Sequence, residues 1–248
     1  MSQALLFGYP EKPVPLETRV QRQGSTLLIP ENLETIPCTH GMHRFPGKFI
    51  PNLPRFLLRA VLGRRKDHTV WDPFCGSGTT LIEAALEGRS FLGLDIDPLA
   101  VMIATAKTRP LLEDNLIFLE DYWKDFDYRT CNLDLVPQVP NFSHWFTEQA
   151  TVELTAIKSA CLSLPPELRL FCLVVFSSIV RRVSNADDQT QKTYVSHTLK
   201  KTPPKPSELF SIFIGRAIQG SHVYNSPLVP SADVCTRIAH RISHPLPR

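Results

Sequence analysis

The sequence predicts an α/β fold with an open parallel sheet in its first half and a mainly helical second half. Three observations carry that expectation. Between residues 69 and 119, short apolar runs alternate with amphipathic stretches in the order strand, helix, strand, helix, strand. A glycine-bearing turn joins the first strand to the first helix, and an acid, Asp95, closes the second strand. Alternation at these lengths implies parallel pairing through right-handed crossovers, hence a doubly wound sheet.

The elements follow in order. Residues 1 to about 40 show no sustained periodicity, although Leu27-Leu28-Ile29 before Pro30 reads as a short edge strand. From Pro51, Leu53, Phe56, Leu57, Ala60 and Val61 recur at the spacing of one buried helix face, and Gly63 ends that helix. Thr69 to Phe74 reads as a strand and Thr79 to Glu87 as a helix with Ile82, Ala85 and Leu86 inside. Phe91 to Ile96 is a second strand. Asp97 then caps a helix that has Pro98 at its first position and runs to about Lys107. Leu116 to Leu119 reads as a third strand, with Asp121 near its end. After Asp125 the alternation stops. Phe146, Ala150, Leu154, Ile157 and Cys161 mark an amphipathic helix, and Pro166 starts a second, apolar almost all round and therefore buried. A polar stretch, Ser184 to Lys201, precedes a last helix from about Pro206 to Ile218, and the final thirty residues read as irregular. The expected organisation is an N-terminal extension (1–42), an α/β core (43–125) and a mainly helical region with an irregular tail (126–248).

Composition excludes several classes. The six cysteines are dispersed with no C-x-x-C pair, which argues against a zinc site or a disulfide framework and for a reducing, cytoplasmic setting. His40 and His43 near Cys38 complete no ligand set, so no metal is expected. The start lacks a basic segment followed by an apolar run, so no signal peptide is expected. The strongest apolar run, Leu170 to Phe176, is too short to cross a bilayer. A net charge of +3 is too small to imply nucleic acid by itself. Prolines, 22 against 11 glycines, gather near the ends and around Pro137–Pro140 and Pro203–Pro206, which marks extended connections.

The chemistry lies between Val70 and Asp97. In Asp72-Pro73-Phe74-Cys75-Gly76-Ser77-Gly78-Thr79-Thr80, the two glycines let the backbone turn sharply and let a ligand approach. A helix N-terminus follows, with free N–H groups and a partial positive charge. Asp95 at the end of the next strand is placed to accept both hydroxyls of a ribose. Together these predict a nucleoside-containing cofactor at the carboxyl ends of parallel strands. Cys75 lacks a neighbouring base and is not read as a nucleophile, and Asp97 is read as a helix cap.

The string DPFCGSGTT, with Leu81-Ile82-Glu83-Ala84-Ala85 and Gly93-Leu94-Asp95-Ile96-Asp97 beyond it, resembles the cofactor motifs of DNA methyltransferases that modify the exocyclic amino group of cytosine or adenine. His43-Arg44-Phe45-Pro46-Gly47-Lys48-Phe49 resembles the segment that those enzymes place just before this motif. The resemblance covers roughly residues 43 to 110. It implies a class I, Rossmann-like fold and S-adenosylmethionine as cofactor. By it, Asp72, Pro73, Phe74, Cys75, Gly76, Ser77, Gly78, Thr79 and Lys48 line the methionine and ribose side. Asp95 holds the ribose and Asp121 meets the adenine amino group.

Members of that family carry a second motif: a small polar residue, two prolines and an aromatic residue, which presents the target amine. Leu164-Pro165-Pro166-Glu167 and Thr202-Pro203-Pro204-Lys205 have the prolines but no ring, and Asn225-Ser226-Pro227-Leu228 has one proline. The sheet is therefore expected to be incomplete, with an unpaired edge. Three explanations stand open: a truncated polypeptide, a second chain supplying the catalytic motif, or a non-catalytic cofactor-binding protein. An RNA amino-methyltransferase is the further alternative to DNA. The helical region is the expected target reader, through Arg181, Arg182, Asn185, Gln189 and Lys192, side chains able to bond base edges and phosphates.

Overall fold

The computed structural model describes residues 38–63, 65, 67–109, 111–130, 132–187, 194–195 and 201–225, with the backbone of 237–240. The edge strand expected at 27–29 and the candidates Gln189 and Lys192 lie outside these residues.

After a short 3-10 turn (Thr39–Gly41), helix α1 spans Asn52–Leu62, and Gly63 closes it with a φ of +54°. It buries Phe56 and Leu58, whereas Leu57, Ala60 and Val61 of the expected inner face are exposed, because the side turned to the following helix is the one that carries Arg55 to Glu83. Strand β1 (Val70–Asp72), helix α2 (Thr79–Leu86), strand β2 (Phe91–Asp95) and helix α3 (Pro98–Thr108) then follow the expected alternation. Leu81, Ile82 and Ala84 of α2 are fully buried beside Phe91 of β2, so the apolar stripe drives the helix onto the sheet. Asp97 caps α3 as expected: its Oδ1 accepts the Leu99 N–H at 2.8 Å, and Pro98 occupies the first turn.

The third element departs from expectation. The stretch from Leu116 to Leu119 is not a strand; it lies within helix α4 (Glu113–Lys124). Leu116, Leu119 and Trp123 are buried while Ile117 and Phe118 are exposed, which is helical spacing. Glu113 and Asp114 in the first turn favour the positive end of that helix. A four-residue apolar run is common to both states, and here the acidic start and the tertiary contacts select the helix. Asp121 consequently stands exposed on α4 and not at a strand end.

The place beside β2 is taken by β3 (Arg237–His240), in the tail read as irregular. The sheet order is β1-β2-β3, parallel throughout, with Leu92 opposite Arg237 and Asp95 opposite His240. Among the described residues β1 pairs on one side only, and Trp71 on it is 63% exposed.

The helical region contains a 3-10 turn (Leu133–Leu135) and the short α5 (Phe142–Trp145), followed by α6 (Glu148–Ser163), α7 (Pro166–Val180) and α8 (Pro206–Tyr224). Helix α8 runs on past the expected Ile218 to Tyr224. Phe171, Cys172, Val174 and Val175 of α7 are buried, as its continuous apolar sequence required. One hydrophobic cluster joins Ile103 and Ala106 of α3, Leu116 and Trp123 of α4 and the inner faces of α6, α7 and α8. The helical region thus packs directly on the α/β layer. No described helix is long and apolar enough to cross a membrane.

Candidate cofactor site

The site begins where β1 ends. Asp72 Oδ1 accepts the Phe74 N–H at 3.1 Å, which bends the chain off the strand. The Cys75 N–H donates to the Leu94 carbonyl at 2.9 Å, so the loop stays attached to β2, and the Gly78 N–H closes a turn on the Cys75 carbonyl at 2.8 Å. Gly76 and Gly78 have φ values of +51° and +81°. A Cβ on Gly78 would lie 2.9 Å from Ala104 Cβ on α3, so this glycine permits both the left-handed turn and the close approach of two helices.

Asp95 braces the turn from below. Its Oδ2 accepts the Gly76 N–H at 2.7 Å and its Oδ1 accepts the Asp97 N–H at 2.9 Å. A carboxylate has about four lone-pair sites, so each oxygen keeps one acceptor position for a ligand hydroxyl.

A cleft opens over this turn, walled on one side by residues 45–49 and on the other by Asp72, Phe74, Cys75, Gly76, Ser77, Thr79 and Thr80. The structure therefore brings the upstream segment, with Lys48, against the glycine turn, although the long α1 separates them in sequence. Ser77 is 2% exposed at this cleft and its Oγ has no hydrogen-bond partner among the described residues. An unsatisfied buried hydroxyl costs stability unless a ligand or water completes it. A Cβ on Gly76 would face the Phe45 ring at 3.8 Å, so the glycine leaves that side of the cleft open. These residues fit a nucleoside cofactor with a polar amino-acid arm. Pro73, Gly78 and Asp95 shape the turn without lining the cleft, and Asp121 is not among the residues lining it.

Cys75 is 6% exposed, and burial beside the carboxylates of Asp72 and Asp95 pushes its thiol up to about 12. It is a neutral packing residue at neutral pH.

Two buried polar features were not anticipated from the sequence. Glu83, fully buried in α2, accepts Arg55 Nε at 2.7 Å and Arg55 Nη2 at 2.9 Å, and lies 2.8 Å from His40 Nε2. Burial pushes its carboxyl up, but the hydrogen bonds from His40 and Arg55 outweigh this and hold it below the usual range. The cluster ties the 39–41 turn and α1 to α2, and so fixes both walls of the cleft; its sequence signal is a lone acid on an otherwise apolar helix face. Lys107 is 1% exposed; its Nζ donates to the His43 carbonyl at 3.5 Å. Burial, with the Lys48 charge nearby, pushes it down to about 7.

In the helical region Arg181 and Arg182 are exposed just after α7. Asn185 is used structurally: its Nδ2 donates to the His144 carbonyl at 3.0 Å and its N–H to the Trp145 carbonyl at 2.8 Å. The double prolines also have structural roles. Pro165 and Pro166 begin α7, and Pro203 and Pro204 lead into α8. His40 is held by Glu83, and the described residues contain no group of three or more His, Cys, Asp or Glu that could hold a metal ion.

A glycine turn at the carboxyl end of a parallel strand, with the next strand's acid beneath it, is how open α/β sheets bind nucleoside cofactors. Comparison with known proteins narrows that class. Residues 23–106 match the DNA methylase family model for N6 and N4 methyltransferases. The chain is 30% identical over 177 residues to the type II methyltransferase M.MvaI of Kocuria varians, covering 66% of this chain and 38% of that protein. It is 40% identical over 68 residues to the type II methyltransferase M.MjaII of Methanocaldococcus jannaschii, covering 27% of this chain and 12% of that protein. A 52-residue stretch is 44% identical to a tRNA (guanine(10)-N2)-dimethyltransferase of the same organism, covering 21% of this chain and 14% of that enzyme. No solved structure matches. Residues 23–106 are thus similar to the N6/N4 DNA methylases, and the chain spans well under half the length of these curated relatives.

Proposed function

We propose that this chain is the S-adenosylmethionine-binding portion of a DNA methyltransferase acting on the exocyclic amino group of cytosine or adenine. The observation that carries the reading is the cleft itself. Within the family segment, residues 45–49 face the glycine turn, and Ser77 brings an unpaired buried hydroxyl to the space between them. When bound, the cofactor supplies a methyl group on a positively charged sulfur, open to attack by an amine. The chain's own part is binding and orientation. Asp95 accepts the ribose hydroxyls while its bonds to Gly76 and Asp97 hold it still. Ser77, Thr79 and the free N–H groups of the first turn of α2 take the carboxylate of the methionine arm. Phe45, Phe49 and Phe74 provide apolar surface along the cleft for the cofactor to pack on, Phe49 and Phe74 being exposed before it binds. Lys48 supplies a cation at the same wall.

The residues that present the target amine are a separate requirement. We infer that a further segment or a second chain carrying the polar-Pro-Pro-aromatic motif completes the enzyme, and that region 126–248 reads the target. A tRNA substrate is the alternative, favoured only by the 52-residue match, which is confined to a small part of that relative.

Calorimetric titration of the purified chain with S-adenosylmethionine tests the binding half. Binding is expected, weakened about tenfold or more in D95A, because one charge-assisted acceptor is lost. A folded chain that takes up no cofactor overturns the reading. Transfer of labelled methyl to DNA is expected only after addition of a segment with the acceptor motif; transfer by the chain alone sinks the idea of a missing part.

A further inference from the structure

Helices α7 and α8 pack side by side, and three side chains form a fork on them. The Arg182 guanidinium carbon lies 4.9 Å from the centre of the Phe213 ring, and that of Arg216 lies 5.9 Å from the same ring. Both arginines are exposed and Phe213 is half-buried. Arg182 follows the last turn of α7, whereas Phe213 and Arg216 lie on α8, so only the packed fold assembles the three.

Arg182 and Arg216 share one ring, and neither has a carboxylate within ion-pair distance among the described residues. A ring face holds a guanidinium by its plane and leaves the edge N–H donors unspent. Two cations on one ring also repel each other, and an anion bridging their donors relieves that repulsion. In the loop after α7, Arg181 Nη2 donates to the Asp187 carbonyl at 3.3 Å and Lys201 Nζ to the Ala186 carbonyl at 3.2 Å, while the Asp187 carboxylate accepts the Tyr194 hydroxyl at 2.9 Å. Ring-held forks with free donors match the fixed, repeated phosphates of a nucleic-acid backbone.

We propose that Arg182, Phe213 and Arg216 form a phosphate-binding fork that positions duplex DNA on the helical region. The fork rests on DNA being the substrate, as proposed above. The test uses the whole chain, a labelled random-sequence duplex and a titration in salt, with cofactor titration and thermal melting on the same samples. R182Q and R216Q are each expected to weaken duplex binding about tenfold and to lower the slope of log affinity against log salt by about one. Both are expected to keep wild-type cofactor affinity and melting temperature. F213L, which keeps both charges but frees them, is expected to weaken binding several-fold with a smaller change in slope. A wild-type chain that binds duplex, with R182Q and R216Q binding as well as it does, overturns the fork while leaving the DNA reading intact. A wild-type chain that binds cofactor and tRNA but no duplex overturns the DNA reading and the fork together.

Discussion

Gly78 holds the glycine turn between β1 and α2 in a conformation that a side chain would strain. Its φ of +81° is costly for any side chain, and an added Cβ would lie 2.9 Å from Ala104 Cβ and 3.1 Å from Ala104 Cα. The second contact is backbone, so α3 would have to move. Strain of this kind costs about 1–3 kcal/mol, and overpacking costs a similar amount. G78A is therefore expected to lower the melting temperature and to abolish cofactor uptake, because the turn is displaced from Asp95. A calorimetric titration alongside a thermal melt checks both; normal cofactor affinity in G78A would show that the turn does not hold the ligand. Asp95 and Asp97 illustrate how little spacing says about roles. They stand two apart at the same strand end, yet one braces the glycine turn and the other caps a helix. The cap was legible from Pro98 beside it. The brace was not, because the Gly76 N–H that Asp95 accepts comes from the end of another strand.

At the scale of an element, α8 shows why one residue type can have opposite effects within two turns. Gly215 has nothing within 4 Å of the place where a methyl would stand, so G215A adds helix propensity without a clash. A gain of about 0.5–1 kcal/mol is expected. Gly220 would put its methyl 2.9 Å from the Cys38 carbonyl oxygen and 3.1 Å from the carbonyl carbon. That overlap, at about 1–3 kcal/mol, exceeds the same propensity gain, so G220A is expected to destabilise. Urea unfolding of the two variants measures the difference, and equal shifts would show that α8 does not dock on residues 38–39. Helix α4 differs from α8 in how its state is chosen. The run from Leu116 to Leu119 alone fits either state, and only the buried positions Leu116, Leu119 and Trp123 over the longer stretch reveal the helical period.

The whole molecule is organised around buried charge as well as buried carbon. Lys107 is pushed down to about 7 in the fold against 10.5 for the free group, by burial first and then by Lys48. Between those values the unfolded chain binds more protons than the folded one, so stability rises with pH. The expected slope from Lys107 is about 0.7 kcal/mol per pH unit at about pH 7 and approaches about 1.4 by about pH 8 to 8.5. Above pH 9 the opposite sign enters, because the thiols of Cys38 and Cys75 are pushed up to about 11 and about 12 and the unfolded thiols lose protons first. Below the usual histidine range His40 and His43, both pushed down chiefly by burial, favour the unfolded state again. K107M is expected to flatten the rise between pH 7 and 8.5 and to match or exceed wild-type stability at pH 7. Denaturant unfolding across that window decides it, and an unchanged slope in K107M would place the effect elsewhere.

The amino-acid sequence by itself determined the alternation from β1 to α3, the caps that bound those helices, and the glycine turn with its acid on the next strand. Each of these depends on residues close in the chain: an apolar period, an Asp before a Pro, a glycine where φ turns positive. Tertiary structure alone decided what depends on distant partners. Arg237–His240 became the third strand because β2 offered an unpaired edge. Leu116 to Leu119, after an acidic start that favours a helix, had that state settled by the apolar face that α8 offers to α4. The cleft and the arginine fork exist only because packing carries residues 45–49 to the turn and Arg216 to the ring that holds Arg182. Local rules specify elements, whereas the groups that meet a ligand are fixed by how those elements bury their apolar faces.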